Sequence, residues 1–92
     1  MIMSKTILIT GSSRGIGAAI ARLAKEKEYN VLLHGKTASS DLQDLAAELE
    51  SKFLTFDISK DEDIAKALKK VEKIDILINS AGVNISKSFE NL

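Results

Sequence analysis

Cysteine, proline and tryptophan are all missing from this 92-residue chain, and one tyrosine and three phenylalanines are its only aromatic residues. Without cysteine there can be no disulfide, no thiolate nucleophile and no sulfur-ligated metal. A single histidine adds too little to build a structural zinc site. Lack of proline leaves helices and strands uninterrupted and favours regular elements joined by short loops. Charge of one sign is lacking too: Lys plus Arg and Asp plus Glu stand at 13 each, so no net field draws the chain to nucleic acid or an anionic membrane. No apolar run approaches the roughly 18 residues of a membrane span. One lysine before a four-residue apolar core is not a signal peptide, so a cytoplasmic location is expected. What remains is 45% hydrophobic and 28% charged, an ordinary balance for one small globular domain.

Two kinds of segment alternate along the chain. The stretches KTILIT (5–10), NVLLH (30–34), KFLTF (52–56) and IDILIN (74–79) carry consecutive apolar residues, as parallel strands covered on both faces do. Between them, Ile16, Ile20 and Leu23 fall at i, i+4 and i+7, as do Ile64, Leu68 and Val71. Leu42, Leu45, Ala46 and Leu49 fall at i, i+3, i+4 and i+7. Each set predicts a helix with one apolar stripe laid on a sheet. Ser40 with Gln43, and Ser59 with Glu62, have the spacing of capping boxes. The reading is β-α-β-α-β-α-β followed by a loop SAGVNISKS and the first turn of a further helix. That order belongs to an α/β fold with parallel βαβ units.

Glycine is scarce, yet three of the five glycines, Gly11, Gly15 and Gly17, lie within seven residues between the first strand and the first helix. A helix N-terminus offers unpaired amides and partial positive charge, and glycines let a diphosphate approach that backbone. The same glycines also suit a tight turn with close helix–sheet packing and no ligand. Their spacing, G-x-x-x-G-x-G, differs from the commoner G-x-G-x-x-G. Gly17 is followed by Ala18 rather than Lys-Ser/Thr, which disfavours a triphosphate-binding P-loop.

TGSSRGIG (10–17) resembles the T-G-x-x-x-G-x-G cofactor motif of the short-chain dehydrogenases/reductases. FDIS (56–59) is similar to that family's Asp after the third strand. NSAG (79–82) is similar to its N-N-A-G motif, with Ser80 in place of the second Asn. The resemblance implies a Rossmann-like doubly wound parallel sheet with strand order 3-2-1-4. It implies cofactor contacts from Gly11, Ser13, Arg14, Gly15, Ile16 and Gly17, from Gly35 and Lys36, from Asp57 and Ile58, and from Asn79, Ala81 and Gly82. Asp57 would lie against the adenine, although an Asp there also suits a simple turn. Asn79 would steady the central sheet beside the adenosine ribose. His34 reads as a strand-end residue beside the adenosine, without a chemical role.

In dinucleotide folds an acidic residue about 20 positions beyond the glycines accepts from the ribose 2′-hydroxyl of NAD. Here that region reads His34, Gly35, Lys36, with no carboxylate before Asp41. A lysine attracts the 2′-phosphate that a carboxylate repels, and Arg14 is a second cation in the glycine loop. Lys36 as one more solvated surface lysine is the plain alternative. The resemblance implies NADP(H) in preference to NAD(H), with hydride exchanged between nicotinamide and a carbonyl or alcohol substrate. Within the family, TGSSRGIG with a basic end to the second strand looks most like the 3-oxoacyl-thioester reductases.

The family's catalytic Ser and Y-x-x-x-K have no counterpart in these residues: Tyr29 is the only tyrosine, and Leu33 stands four places on. Residues 1–92 are therefore expected to be the cofactor-binding portion of one Rossmann-type domain. No residue here is assigned to catalysis or to metal. The outer edge of the fourth strand would then lack a partner within these residues, an edge prone to association. The complete enzyme would be a homo-oligomer acting on a small molecule. A non-catalytic nucleotide-binding module or truncated half-fold is the alternative reading. A flavodoxin-like receiver ranks last, because only Asp57 offers the acidic cluster it needs. These residues alone are expected to show no reductase turnover; NADPH-dependent reduction of a carbonyl by the purified 92-residue chain would overturn that expectation.

Overall fold

A computed structural model describes residues 4–80. Four parallel strands, β1 (Thr6–Thr10), β2 (Asn30–Gly35), β3 (Lys52–Thr55) and β4 (Ile76–Asn79), alternate with helices α1 (Gly15–Glu26), α2 (Ser40–Leu49) and α3 (Asp61–Leu68). The sheet runs β3-β2-β1-β4, the order the resemblance implies. In register, Ile7 sits opposite Val31 and Ile76, and Ile9 opposite Leu33 and Ile78.

Side chains alternate between the faces of a strand, and the consecutive apolar residues of β1 and β2 thereby feed two cores. Ile7, Ile9, Val31 and Leu33 pack with α1 and α2 on one face. Leu8 and Leu32, with Leu54 and Phe56, pack with Ile64, Ala67 and Leu68 of α3 on the other. The outer strands differ from the expectation of two covered faces. In β3 only Leu54 is buried, and Ile76, Leu77 and Ile78 of β4 are half-buried. Among the described residues each of these strands has a neighbour on one side only.

The stripe expected on α2 is the buried one: Leu42, Leu45, Ala46 and Leu49. On α3, Ile64 and Leu68 are buried, while Val71 lies beyond the helix and is half-buried against the same core. The stripe expected on α1 is not. Its buried face is Gly17, Ala18, Ala21 and Ala24, whereas Ile16 is 76% and Leu23 53% exposed, with Ile20 half-buried. Small residues let this helix lie close to the strands, and that closeness leaves no room for a branched side chain.

Both capping boxes also shift. Ser39, not Ser40, caps α2, its Oγ accepting from the Leu42 amide at 3.2 Å, and Gln43 donates to the Ala38 carbonyl instead. Lys60 is the N-cap of α3 and gives no side-chain acceptor. The Ser59 hydroxyl donates to Asp57 Oδ1 at 2.6 Å, and negative charge at that helix start comes from Asp61, Glu62 and Asp63.

The α1 face is testable by urea unfolding of paired variants. Ala21→Leu, at a fully buried position, is expected to destabilise by about 1–3 kcal/mol through overpacking. Leu23→Lys, the larger chemical change, is expected to stay within about 0.5 kcal/mol of wild type because the site is exposed.

Candidate functional site: the C-terminal edge of the sheet

β1 ends at Thr10, and the chain turns into α1 through Gly11 and Gly15, whose φ angles of 61° and 66° lie in the left-handed region that glycine enters without penalty. The third glycine has a different task. A Cβ on Gly17 would overlap the Gly11 carbonyl oxygen and lie 2.5 Å from Ser80 Oγ and 2.9 Å from Ser12 Cα. Gly17 is thus the packing glycine of the set. Gly15, by contrast, has open space where a Cβ would be.

The first turn of α1 stands out from the other two helix starts. Its N-cap is Arg14, in extended backbone, with no side-chain hydrogen bond to the helix, and no acidic residue lies in the turn. The helix therefore begins with two exposed residues, Gly15 and Ile16, a cation at the cap, and no carboxylate of its own. Such an end has room and charge for an anion.

Side chains from the other strands hold this turn in place. The Thr10 hydroxyl donates to Asn79 Oδ1 at 3.0 Å, tying β1 to the end of β4. Ser80 Oγ donates to the Thr10 carbonyl and lies 3.3 Å from that of Gly11. Ser12 is fully buried. Its amide donates to the His34 carbonyl at 2.9 Å, and its hydroxyl accepts from the His34 amide at 2.8 Å. His34 completes the link: Nδ1 lies 2.9 Å from the Gly11 amide and Nε2 2.9 Å from the Phe56 carbonyl. Burial pushes the pKa of the imidazole below its ordinary value, opposed in part by the Phe56 carbonyl.

Beyond β2, Lys36 is exposed and its Nζ lies 3.8 Å from Asp57 Oδ2. Asp57 Oδ1 accepts from the Ser59 hydroxyl and, at 3.0 Å, from the Ser59 amide. These bonds hold the carboxyl below the usual carboxylate range, helped by the charges of Lys36 and Lys60. The bonds to Ser59 are those of the turn role that an Asp suits here.

The structure thus gathers the glycine turn, Asn79 and the Lys36–Asp57 pair at the C-terminal ends of the strands. Ser13 is half-buried within the turn. Gly35 is buried, where a Cβ would press on Leu42 Cδ2 and the Thr37 carbonyl at 3.0 Å, so packing against α2 accounts for it. Ile58 packs half-buried against the α3-side core. Ala81, Gly82 and the loop expected after Ser80 lie outside the described residues. The linking roles of Ser12 and His34 are missing from the motif reading. The one signal for His34 was a polar, titratable residue closing an otherwise apolar strand, NVLLH.

Residues 5–92 match the short chain dehydrogenase family. The chain belongs to that family. This chain is 40% identical to the NAD-dependent glycerol dehydrogenase of Listeria innocua, over 99% of its own length and 38% of that protein. It is 41% identical to serine 3-dehydrogenase of Agrobacterium fabrum, over 88% of this chain and 34% of the relative. It is 34% identical to a 3-oxoacyl-acyl-carrier-protein reductase of Chlamydia muridarum, over 90% and 37% respectively. Among solved structures, a short chain dehydrogenase/reductase family protein superposes with a TM-score of 0.77 at 30% identity, covering 86% of this chain and 34% of that one. The TT0495 protein of Thermus thermophilus gives 0.69 at 29%, covering 89% and 34%. The chain spans just over a third of the length of these relatives. No helix among the described residues is long and apolar enough to cross a membrane.

Gly17→Ala tests the packing role by its sign. Helix propensity alone would stabilise an interior alanine by about 0.8–1 kcal/mol, whereas the collision with the Gly11 carbonyl is expected to destabilise by about 1–3 kcal/mol. Thermal or urea unfolding of the variant reads the sign directly.

Proposed function

We propose that residues 1–92 form the cofactor-binding segment of an NADP(H)-preferring oxidoreductase that exchanges hydride between nicotinamide and a carbonyl or alcohol substrate. The observation that carries this reading is the start of α1, where Gly15 leaves open space and neither a capping side chain nor a carboxylate competes for an anion. A diphosphate fits that chemistry: Gly11 and Gly15 turn the backbone, the first-turn amides and Arg14 attract negative charge, and Ile16 adds an exposed apolar surface beside them. Ser13 belongs to the same turn. Asp57 and Ile58 after β3, and Asn79 with Ala81 and Gly82 after β4, are assigned to the adenosine side. When bound, the nicotinamide cofactor supplies the hydride acceptor or donor; these residues bind and orient it.

The preference for NADP(H) rests on Lys36. It stands at the end of β2, the position from which a carboxylate would hold the 2′-hydroxyl of NAD. The name of the Listeria relative specifies NAD, so this residue, rather than family membership, supports the preference. The substrate is proposed as a small carbonyl or alcohol compound, and the complete enzyme as a cytoplasmic homo-oligomer.

Titration calorimetry on the intact protein tests the preference. Wild type is expected to bind NADPH more tightly than NADH. Lys36→Glu is expected to weaken NADPH binding about ten- to hundredfold, the range for losing one hydrogen bond to a charged group, with NADH much less affected. Tighter NADH than NADPH binding by wild type would defeat the assignment.

A further inference from the structure

His34 ties the end of β2 to two other segments, the glycine turn and the residues after β3, and its partners leave one protonation state. The Gly11 amide can only donate, so Nδ1 facing it at 2.9 Å must present its lone pair. The Phe56 carbonyl can only accept, so Nε2 facing it at 2.9 Å must carry the hydrogen. The imidazole is 3% exposed, its ring centroid 4.0 Å from that of Phe56, and its own backbone is held from both sides by Ser12. With that enclosure, water has little access to replace either partner.

We propose that His34 is a positioning residue: its neutral Nε2–H tautomer holds the Gly11 amide and so fixes the glycine turn, making nucleotide binding at that turn dependent on the imidazole staying unprotonated. This rests on the reading of the turn as the phosphate site. A proton on Nδ1 would set two N–H groups head to head, and the Gly11 amide would have to leave. Gly11 is the residue whose left-handed φ starts the turn into α1, so its displacement moves the bare first-turn amides with it.

The charged groups on the surrounding segments do not rescue the cation. Lys36 follows on the His34 segment and Asp57 follows Phe56; these two pair with each other at 3.8 Å. On the α3 side the first turn carries Asp61, Glu62 and Asp63, and Asp63 Oδ2 lies 3.4 Å from the Asp57 amide, whereas the ring nitrogens face the Gly11 amide and the Phe56 carbonyl. Arg14 is the cation of the glycine turn, and Gly11, Ser12 and α1's first turn bring no acid. Burial is the largest influence on the imidazole, and it favours the neutral form. The sign follows. A buried histidine with a lowered pKa keeps its stabilisation above the unfolded value of about 6.5 and loses it as pH falls from there through the folded value.

The test uses the intact protein and two independent readouts. Nitrogen-15 spectra of the imidazole should show the neutral Nε2–H form at pH 7, with the Gly11 amide signal moving together with the His34 titration as pH falls. NADPH affinity should fall about tenfold per pH unit once His34 protonates. The 2′-phosphate takes a proton itself near pH 6, as phosphate monoesters do, so His34→Asn in the same buffers is the reference. Asparagine Oδ1 can stand where Nδ1 stood and accept from Gly11; it is expected to recover most of the binding lost in His34→Ala and to remove the His34 part of the pH dependence. Glutamine reaches toward the Phe56 carbonyl instead and is expected not to recover it. An Nδ1–H tautomer, a Gly11 amide indifferent to the titration, or equal binding by the Ala and Asn variants would overturn the proposal. Failure of wild type to bind either nucleotide, with the tautomer and Gly11 coupling observed as stated, would overturn the phosphate reading and its dependence on His34, while leaving the hydrogen-bond link itself standing.

Discussion

Past the last ladder pairs, the ends of β1, β2 and β3 are joined by one buried imidazole and one buried hydroxyl. The Gly11 amide, both backbone groups of His34 and the Phe56 carbonyl all find their partners there. Each such hydrogen bond adds only about 0.5–1.5 kcal/mol net, but a buried group left without its partner costs about 1–3 kcal/mol. That asymmetry makes the link a constraint: the glycine turn cannot shift without orphaning several groups at once. Thr10 and Asn79 extend the same arrangement to β4, so the edge of the sheet that faces the candidate site is cross-tied along its described length.

Much of this was legible in the order of residues. Consecutive apolar runs separated by helical periods gave four strands and three helices, and the TGSSRGIG, FDIS and NSAG stretches pointed to the family and the strand order. What stayed hidden depends on distance between segments far apart in sequence. Gly15 and Gly17 look alike on paper; only the approach of Ser80 and the Gly11 carbonyl separates a packing glycine from one facing open space. Nor can a motif reveal that the serine after Gly11 is buried while the next residue is less so. His34 carried a hint, as a polar residue closing an apolar strand, but its two partners lie 23 and 22 positions away.

The misread stripe on α1 has a physical lesson. Hydrophobicity weights Ile16, Ile20 and Leu23 above alanine, yet Ala18, Ala21 and Ala24 are the buried set. A Cβ on Gly17 would strike the Gly11 carbonyl, so the first turn of α1 lies hard against the end of its strand, and where backbones approach that closely side-chain size outranks hydropathy. α2 and α3 begin after connections of four and five residues, 36–39 and 56–60, and there the large apolar residues face inward as periodicity predicts.

Lys36 already has a carboxylate for a neighbour, and under the proposed reading this would give phosphate recognition at that position the character of an ion exchange. An arriving phosphate would displace Asp57 rather than fill an empty field. The exposed lysine is held only loosely by such a pair, while the Ser59 hydroxyl and amide and Lys60 keep the released aspartate ionised without it. Under the proposed NADP(H) reading Asp57 would therefore be a placeholder, one half of an exposed pair that an anion can part at little cost. The discrimination available is a difference between two attractions, and dissolved salt, which screens exposed charges, would narrow it.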